Sequence, residues 1–545
     1  MVAFVHPSIT QEKRDIWLFL LQVIFFPTRL KGSGVIVDLG YATYRGVGLA
    51  AGANQFLGMR FAAPPLGNLR WRAPQDPKKE EGVQDASAFG PICVGTDQQV
   101  NVNQTEDCLY INVFAPSNAG PGSKLPVWFY IQGGGYANNS NANYNGTDVI
   151  VKSNHNVVVV NFNYRVGALG FLASEKVKQN GDLNVGLLDE RKAMHWVQKY
   201  IHLFGGDKEH VVIHGPSAGG GSIAFQLAAY GGRDEKLFVG AIAESPFFPT
   251  HRTVPELEFQ YIRFLKDIGC DKASDPLACA RSTDINTIQK ANVLQDHPFP
   301  GASGDSLWYF LPCVDGTFSQ DFLYSQFEKG QFVRVPTMVA GDTNEGDTFV
   351  PNASSAAEVA AFFKDNFPKL NSKELDEINK LYPREARPLH NAYFASASDA
   401  YGDSVFTCGG LVISDAVSKY VSPNEIWTYR YNVVDPANAA QGLGVTHTSE
   451  TPAIFGVGFA GGVGSALATT NAAVVPIVMD YYLSFVQTLN PNKLKSSTAP
   501  TWEAYGASGK ERLRIEVTGS EMEHIPGIQQ KRCAFWDKVS PTMEQ

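Results

Sequence analysis

Nine residues, HGPSAGGGS from His214 to Ser222, set one serine among small residues directly after the apolar run Val211–Ile213. The pattern G-x-S-x-G at Gly215–Gly219 fits two readings. In one, the chain turns sharply out of a strand and holds Ser217 on a strained backbone as a nucleophile. In the other, Ser217 is a capping residue in a strand-to-helix loop. A nucleophilic serine requires a base to take its proton, an acid to orient that base, and N–H donors for the oxyanion. The rest of the chain decides between the two.

Donors are available in YIQGGGYANNS (130–140), where Gly133-Gly134-Gly135 follow an apolar run. Three successive glycines let the backbone present N–H groups to a developing negative charge without side-chain obstruction, and the N–H of Ala218 adds one more donor. In the chain order serine, acid, histidine, the acid falls in VPTMVAGDTNEGD (335–347). Glu345, beside Gly346, is the candidate, with Asp342 and Asp347 as competitors. For the base, His447 in GLGVTHTSETPAIFG stands in a polar loop before an apolar segment. Packing explains His195, within a helical pattern, and His214, at the end of a buried run. His251, His297 and His390 have no supporting context. Tyr136, Phe247 and Phe248 are candidates for the substrate pocket wall.

These groups must be positioned by the elements that precede them. VWFYI (127–131), VVVVNFNY (157–164) and VVIH (211–214) read as buried strands of a largely parallel sheet, and VPTMVAGD (335–342) and IWTYRYNV (426–433) as later ones. Leu188, Ala193, Trp196, Val197, Tyr200 and Ile201 share one face of a helix between the second and third strands. Strand-helix-strand order predicts an α/β fold, a large mostly parallel sheet flanked by helices. The helical, loop-rich stretches near 246–330 and 350–420 are expected to cap the strand ends. No Pro-, Gly- or Ser-rich linker divides the chain, so residues 31–545 are read as one domain.

With 545 residues, 44% hydrophobic and a formal net charge of −9, the chain carries no basic footprint for nucleic acid. Ile16–Phe26 is apolar but too short for a stable membrane span. Residues 1–30 fit a signal or leader segment, or a buried helix, since Glu12 and Asp15 cancel the charges of Lys13 and Arg14. Among seven cysteines, Cys93 with Cys108 and Cys270 with Cys279 are spaced to close small disulfide loops. Four N-x-S/T sequons, at Asn103, Asn138, Asn145 and Asn352, are candidate glycosylation sites. Together these features predict a secreted protein. No His/Cys cluster has metal-ligand spacing, and no cofactor is expected.

The sequence resembles the type-B carboxylesterase/lipase family, relatives of the cholinesterases and fungal lipases within the α/β-hydrolase fold. The resemblance runs from about Val35 almost to the C-terminus. It rests on FLGMRFAAPPLGNLRWRAP (56–74), EDCLYINVFAP (106–116), the glycine run, NYRVGALGFL (163–172) and NVGLLDERKAMHWVQKYIHLFGGD (184–207). It continues through the serine turn, NEG (344–346), THTSETPAIFG (446–456) and RCAFW (532–536). The resemblance implies Ser217 as nucleophile, Glu345 as acid, His447 as base, and Gly134, Gly135 and Ala218 as oxyanion donors. It also implies disulfides Cys93–Cys108 and Cys270–Cys279, a third pair Cys408–Cys533 that leaves Cys313 as an inert thiol, and ion pairs Arg45–Glu106 and Arg165–Asp189.

The chain departs from the family pattern at Pro216, where most relatives have Glu, at Gln132, where many esterases have His, and at Ala340, usually Gly. The segment closed by Cys93 and Cys108, VGTDQQVNVNQTED, is short and polar where lipase relatives carry a long amphipathic lid. It also lacks the tryptophan with which cholinesterases bind a quaternary ammonium group. The expectation is a serine carboxylesterase acting on small, soluble esters. The alternatives are a lipase or sterol esterase for long acyl chains, and a non-catalytic adhesion-type homologue.

Overall fold

The computed structural model describes residues 34–140, 142–295, 298–458 and 465–545. The segment 1–30 and His297 lie outside these residues. The β-branched and aromatic runs form strands whose side chains alternate between two buried faces. Val127, Phe129, Val160 and Ile213 enter one hydrophobic cluster, while Trp128, Tyr130, Val159 and Val212 enter the other. A sheet apolar on both faces requires helices on both. Leu187, Met194 and Val197 of helix Val185–Tyr200, with Ile223 and Leu227 of Ala218–Gly232, cover the first face. Ile454 of Thr451–Phe455 and Val478, Tyr482 and Phe485 of Val474–Thr488 cover the second.

The large sheet contains thirteen of the described strands. Its centre is parallel, in the order Val158–Phe162, Leu125–Tyr130, Gly206–Pro216, Gly240–Glu244, Thr337–Ala340, Ile426–Tyr431 and Glu511–Ile515. Tyr110–Pro116, Ala53–Arg60, Thr43–Leu49 and Val35–Asp38 extend one side antiparallel, and Glu521–His524 the other. The glycine run, Ser217, Glu345 and His447 each follow the C-terminal end of a central parallel strand, where open α/β sheets bring loops together. The segments expected to cap these ends are helical: Val254–Asp267, Pro276–Ser282, Ile285–Ala291 and Leu323–Glu328 in the first, Ala356–Asn366, Ser372–Leu381, Phe394–Gly402 and Cys408–Tyr420 in the second. A π-helical turn, Asp403–Thr407, joins the last two. No helix among the described residues is long and apolar enough to cross a membrane.

Three disulfides join Cys93 to Cys108, Cys270 to Cys279 and Cys408 to Cys533. Cys313 is a buried free thiol, and burial pushes its ionisation up, which makes it inert. Asp403 lies beside the third disulfide, whose mutually bonded sulfurs offer no thiolate to a metal.

One expected ion pair is corrected. Glu106 accepts a hydrogen bond from Arg70 Nη2 at 2.8 Å, both side chains being buried, and does not pair with Arg45. Arg45 sits opposite Ile36 near the sheet edge, on the solvent side of its strand, and is exposed. Arg165 does meet Asp189, in a two-pronged contact of 2.7 Å on each prong with exposures of 3% and 0%. Removing one partner of such a pair leaves an uncompensated buried charge. Arg165→Met is therefore expected to destabilise the fold by about 3–5 kcal/mol, and Arg165→Met/Asp189→Leu by clearly less. Urea unfolding of both variants checks this: equal losses would show that the ionic contact is not what stabilises the site.

Candidate active site

Helix Ala218–Gly232 starts immediately after strand Gly206–Pro216, with Ser217 the single residue between them. A reversal in one residue forces Ser217 to φ 58° and ψ −124°, outside the regions that L-residues favour. Its hydroxyl makes no capping hydrogen bond, so the capping reading fails. The turn closes only because Gly215 and Gly219 lack side chains. A Cβ on Gly215 would lie 2.6 Å from both Gly219 C and Ile131 O, and one on Gly219 would strike Ile131 O. Ser217 N donates to Glu244 O at 2.9 Å, while Ser217 O accepts from Gly221 N at 2.9 Å and Phe247 N at 3.0 Å. Pro216, which has no N–H to donate, occupies the last strand position without disturbing these contacts.

The same crowding brings the glycine run alongside. Ile131 O, which borders both elbow glycines, precedes Gln132-Gly133-Gly134-Gly135. Gly133 O and Gly134 O accept from residues 137–140, and no hydrogen bond among the described residues uses the N–H of Gly134 or Gly135. The Gln132 side chain reaches Phe162 O at 3.5 Å; the firmer tether is Tyr164 Oη donating to Gln132 O at 2.9 Å. Asn139 accepts from Cys93 N at 3.0 Å and donates to Tyr164 O at 3.1 Å, tying the run to the first disulfide.

Glu345 Oε2 meets His447 Nδ1 at 2.5 Å, with side-chain exposures of 1% and 7%. Its other oxygen accepts from Ser245 Oγ at 2.7 Å and Asp342 N at 2.8 Å. A carboxylate held at both oxygens fixes the imidazole tautomer, with Nδ1 as the donor and Nε2 as the acceptor. Nε2 is buried and has no partner among the described residues. The acid and histidine loops are zipped together by Asn344 N to Val445 O at 2.9 Å, Val445 N to Asn344 Oδ1 at 3.0 Å, and Gly444 N to Asp347 Oδ2 at 2.7 Å. Asp342 and Asp347, the competing acids, are thereby placed as supports of the loops.

An aromatic cluster joins the serine to the histidine. Phe247, whose N–H is held by Ser217 O, packs 5.6 Å from Phe406; Phe406, on the π-helical turn, lies 4.1 Å from the His447 ring. Phe349 meets the same ring edge-on at 5.3 Å. Trp308 packs 5.3 Å from Phe247, donates to Tyr401 Oη at 2.9 Å, and lies so close to Gly135 that a Cβ there would collide with its ring. Of the three expected pocket walls, Phe247 belongs to this cluster and Tyr136 touches it, 6.2 Å from Phe247 and otherwise buried against Phe171 and Phe225. Phe248 packs against Tyr324 instead, because the backbone from 247 to 248 alternates between the site and the core. Ser245, Trp308, Phe349 and Phe406 were not legible in the sequence. Only the position of Ser245, just past a strand end, offered a hint.

His214, His251, His390 and His195 have other partners. Buried His214 meets Glu244 at 2.8 Å and accepts from Trp128 Nε1 at 3.1 Å; burial lowers it to about 3. His251 bonds Ser319 Oγ at 2.9 Å, His390 stacks on Phe394 and His195 lies half-exposed beside Glu235.

The model of the Carboxylesterase family matches residues 35–536. Secreted lipase 4 of Gibberella zeae is 31% identical over 505 residues, 88% of this chain and 87% of its own. Fumonisin B1 esterase of Sphingopyxis macrogoltabida is 32% identical over 423 residues, 75% and 73% respectively. The crystal structure of Aspergillus niger EstA superimposes with a TM-score of 0.92 at 54% identity, covering 94% of this chain and 99% of that one. The chain belongs to the carboxylesterase family, has the α/β-hydrolase fold and is a carboxylic ester hydrolase.

Proposed function

We propose that the chain hydrolyses soluble esters of short to medium acyl length through Ser217, His447 and Glu345. The observation that carries the mechanism is the Glu345–His447 contact, which leaves His447 Nε2 as a buried acceptor with no partner among the described residues. His447 takes the Ser217 proton as the oxygen attacks the ester carbonyl, and Glu345 stabilises the imidazolium. The N–H groups of Gly134, Gly135 and Ala218 hold the oxyanion. The imidazolium then protonates the leaving alcohol, and the freed base activates the water that releases the acid.

Two features support the acyl preference. Trp308, pressed against Gly135 and anchored on Tyr401, closes the space beside the oxyanion donors. The loop between Cys93 and Cys108 is stitched down: Gln289 Nε2 donates to Gly95 O at 2.8 Å and Gln98 O at 3.0 Å, and Asp97 N to Asn292 O at 2.9 Å. Val94 is buried, and Val102, 87% exposed, is the prominent apolar residue on its surface. Such a loop offers an oil–water interface no broad apolar face. Three disulfides, with exposed sequon residues Asn103, Asn145 and Asn352 and half-buried Asn138, support secretion and glycosylation. The lipase reading draws on the names of several relatives and requires that loop to open.

Hydrolysis of p-nitrophenyl esters from acetate to palmitate tests the proposal. Ser217→Ala is expected to lower turnover at least ~10⁴-fold on every ester. Trp308→Ala is expected to shift the optimum to longer chains, raising kcat/KM for octanoate relative to acetate by roughly tenfold. A wild type that works best on palmitate above its solubility limit would overturn the short-acyl assignment and restore the lipase. Turnover that survives loss of the Ser217 hydroxyl would overturn the mechanism.

A further inference from the structure

Beneath the site lie carboxyls that the proton transfer does not use. Glu244, Asp342 and Glu450 surround Glu345, and none of the four is more than 4% exposed. Glu244 is satisfied by His214 and by Thr451 Oγ1. Asp342 and Glu450 remain. Asp342 Oδ2 accepts from Ser449 N at 3.2 Å and Glu450 Oε1 from Tyr429 Oη at 3.4 Å. The other oxygen of each, Asp342 Oδ1 and Glu450 Oε2, is buried and receives no N–H or O–H from the described residues. Ser449 N, one residue before Glu450, holds Asp342, which brings the two carboxyls within reach of each other. Two carboxylates have no hydrogen to share, so a hydrogen bond between them exists only while a proton lies between them.

The pair also has a mechanical position. Asp342 contributes its backbone N–H to Glu345, and Glu450 stands three residues after His447 at the head of helix Thr451–Phe455. We propose that a proton shared by Asp342 and Glu450 fastens the acid turn to the histidine loop, and that its loss sets the upper pH limit of catalysis. The proposal rests on Glu345 and His447 acting as the acid and base. Asp342 and Glu450 are positioning residues: they touch neither substrate nor reacting atoms.

The surroundings retain the proton. Glu244 faces the pair from strand Gly240–Glu244, Glu345 from the acid turn, Tyr429 and Tyr431 from strand Ile426–Tyr431, and Tyr482 from helix Val474–Thr488. On the far side Asp342 borders a cavity of about 230 Å³ lined also by Arg387, Arg430, Arg512 and Arg532. These cations have other partners: Arg387 meets Asp347, Arg430 and Arg512 meet Glu523, and Arg532 lies 3.9 Å from Asp399. Burial, then Glu450, pushes Asp342 well above the carboxylate range; burial, then Glu244, raises Glu450. A folded-state pKa above the unfolded one means that the native state binds more protons. The pair's contribution to stability is therefore complete below the ordinary carboxylate range and falls as pH rises from there through the raised folded value.

The test compares wild type, Asp342→Asn and Glu450→Gln from mildly acidic to alkaline buffers, following kcat/KM for p-nitrophenyl butyrate and, separately, Tm. An amide donates to the surviving carboxylate at every pH. Each profile, normalised to its own plateau, is expected to keep its activity to a pH higher by about one unit, and the wild-type decline of Tm with pH is expected to flatten. If either variant folds and shows both changes, the shared proton stands. Alkaline limbs and Tm slopes that coincide with wild type would overturn it. Melting needs no turnover, so a flattened Tm profile in a chain without serine-dependent activity would reject the triad and leave the shared proton standing.

Discussion

The architecture depends on one reversal made without a loop. Strand Gly206–Pro216 becomes helix Ala218–Gly232 across Ser217 alone, and the chain can do this only where the joining residue accepts a positive φ and the residues two positions to either side carry no side chains. Gly215 and Gly219 meet that condition against Ile131 O. The result is a serine hydroxyl raised above the sheet with no capping duty. The same close approach draws in the strand that ends at Tyr130, and with it the glycine run. The positions proposed for nucleophile and oxyanion donors are thus consequences of a single packing constraint.

The other half of the site obeys a different rule. Glu345 and His447 lie 102 residues apart in sequence and come from loops with little regular structure of their own. They are held by backbone and side-chain hydrogen bonds between residues 344–347 and 444–446 and by Ser245, itself in a left-handed conformation at φ 43°. Losing one of these bonds costs about 1 kcal/mol, so no single one defines the geometry, and their number does. A buried hydrogen bond between carboxylate and imidazole tolerates little play, and the loops are zipped accordingly.

Aromatic packing connects the two halves. Phe247, Phe406 and Phe349 form a continuous surface from the serine backbone to the imidazole, and Trp308 closes it over Gly135. Such rings are stiff and bury large areas, so the surface holds His447 in place, and the short-acyl preference proposed above rests on it. The π-helical turn Asp403–Thr407 directs Phe406 into this position; π-turns interrupt helices most often where a side chain must be aimed.

Much of this was determined by the sequence alone. Buried parallel strands were legible because fully apolar β-branched runs have few other uses, and the elbow because glycines flank a serine at fixed spacing after such a run. Glu345 and His447 were legible only in combination, from chain order and from the family blocks around them. Local spacing left Asp342 and Asp347 equally eligible, and tertiary structure made them supports. Tertiary structure likewise paired Glu106 with Arg70, sent Tyr136 and Phe248 into the core, and put Trp308 over Gly135. Side-chain periodicity records which face of an element is buried, and that is local information. Which residue lies across a contact depends on how separate elements stack, and no stretch of sequence contains that by itself.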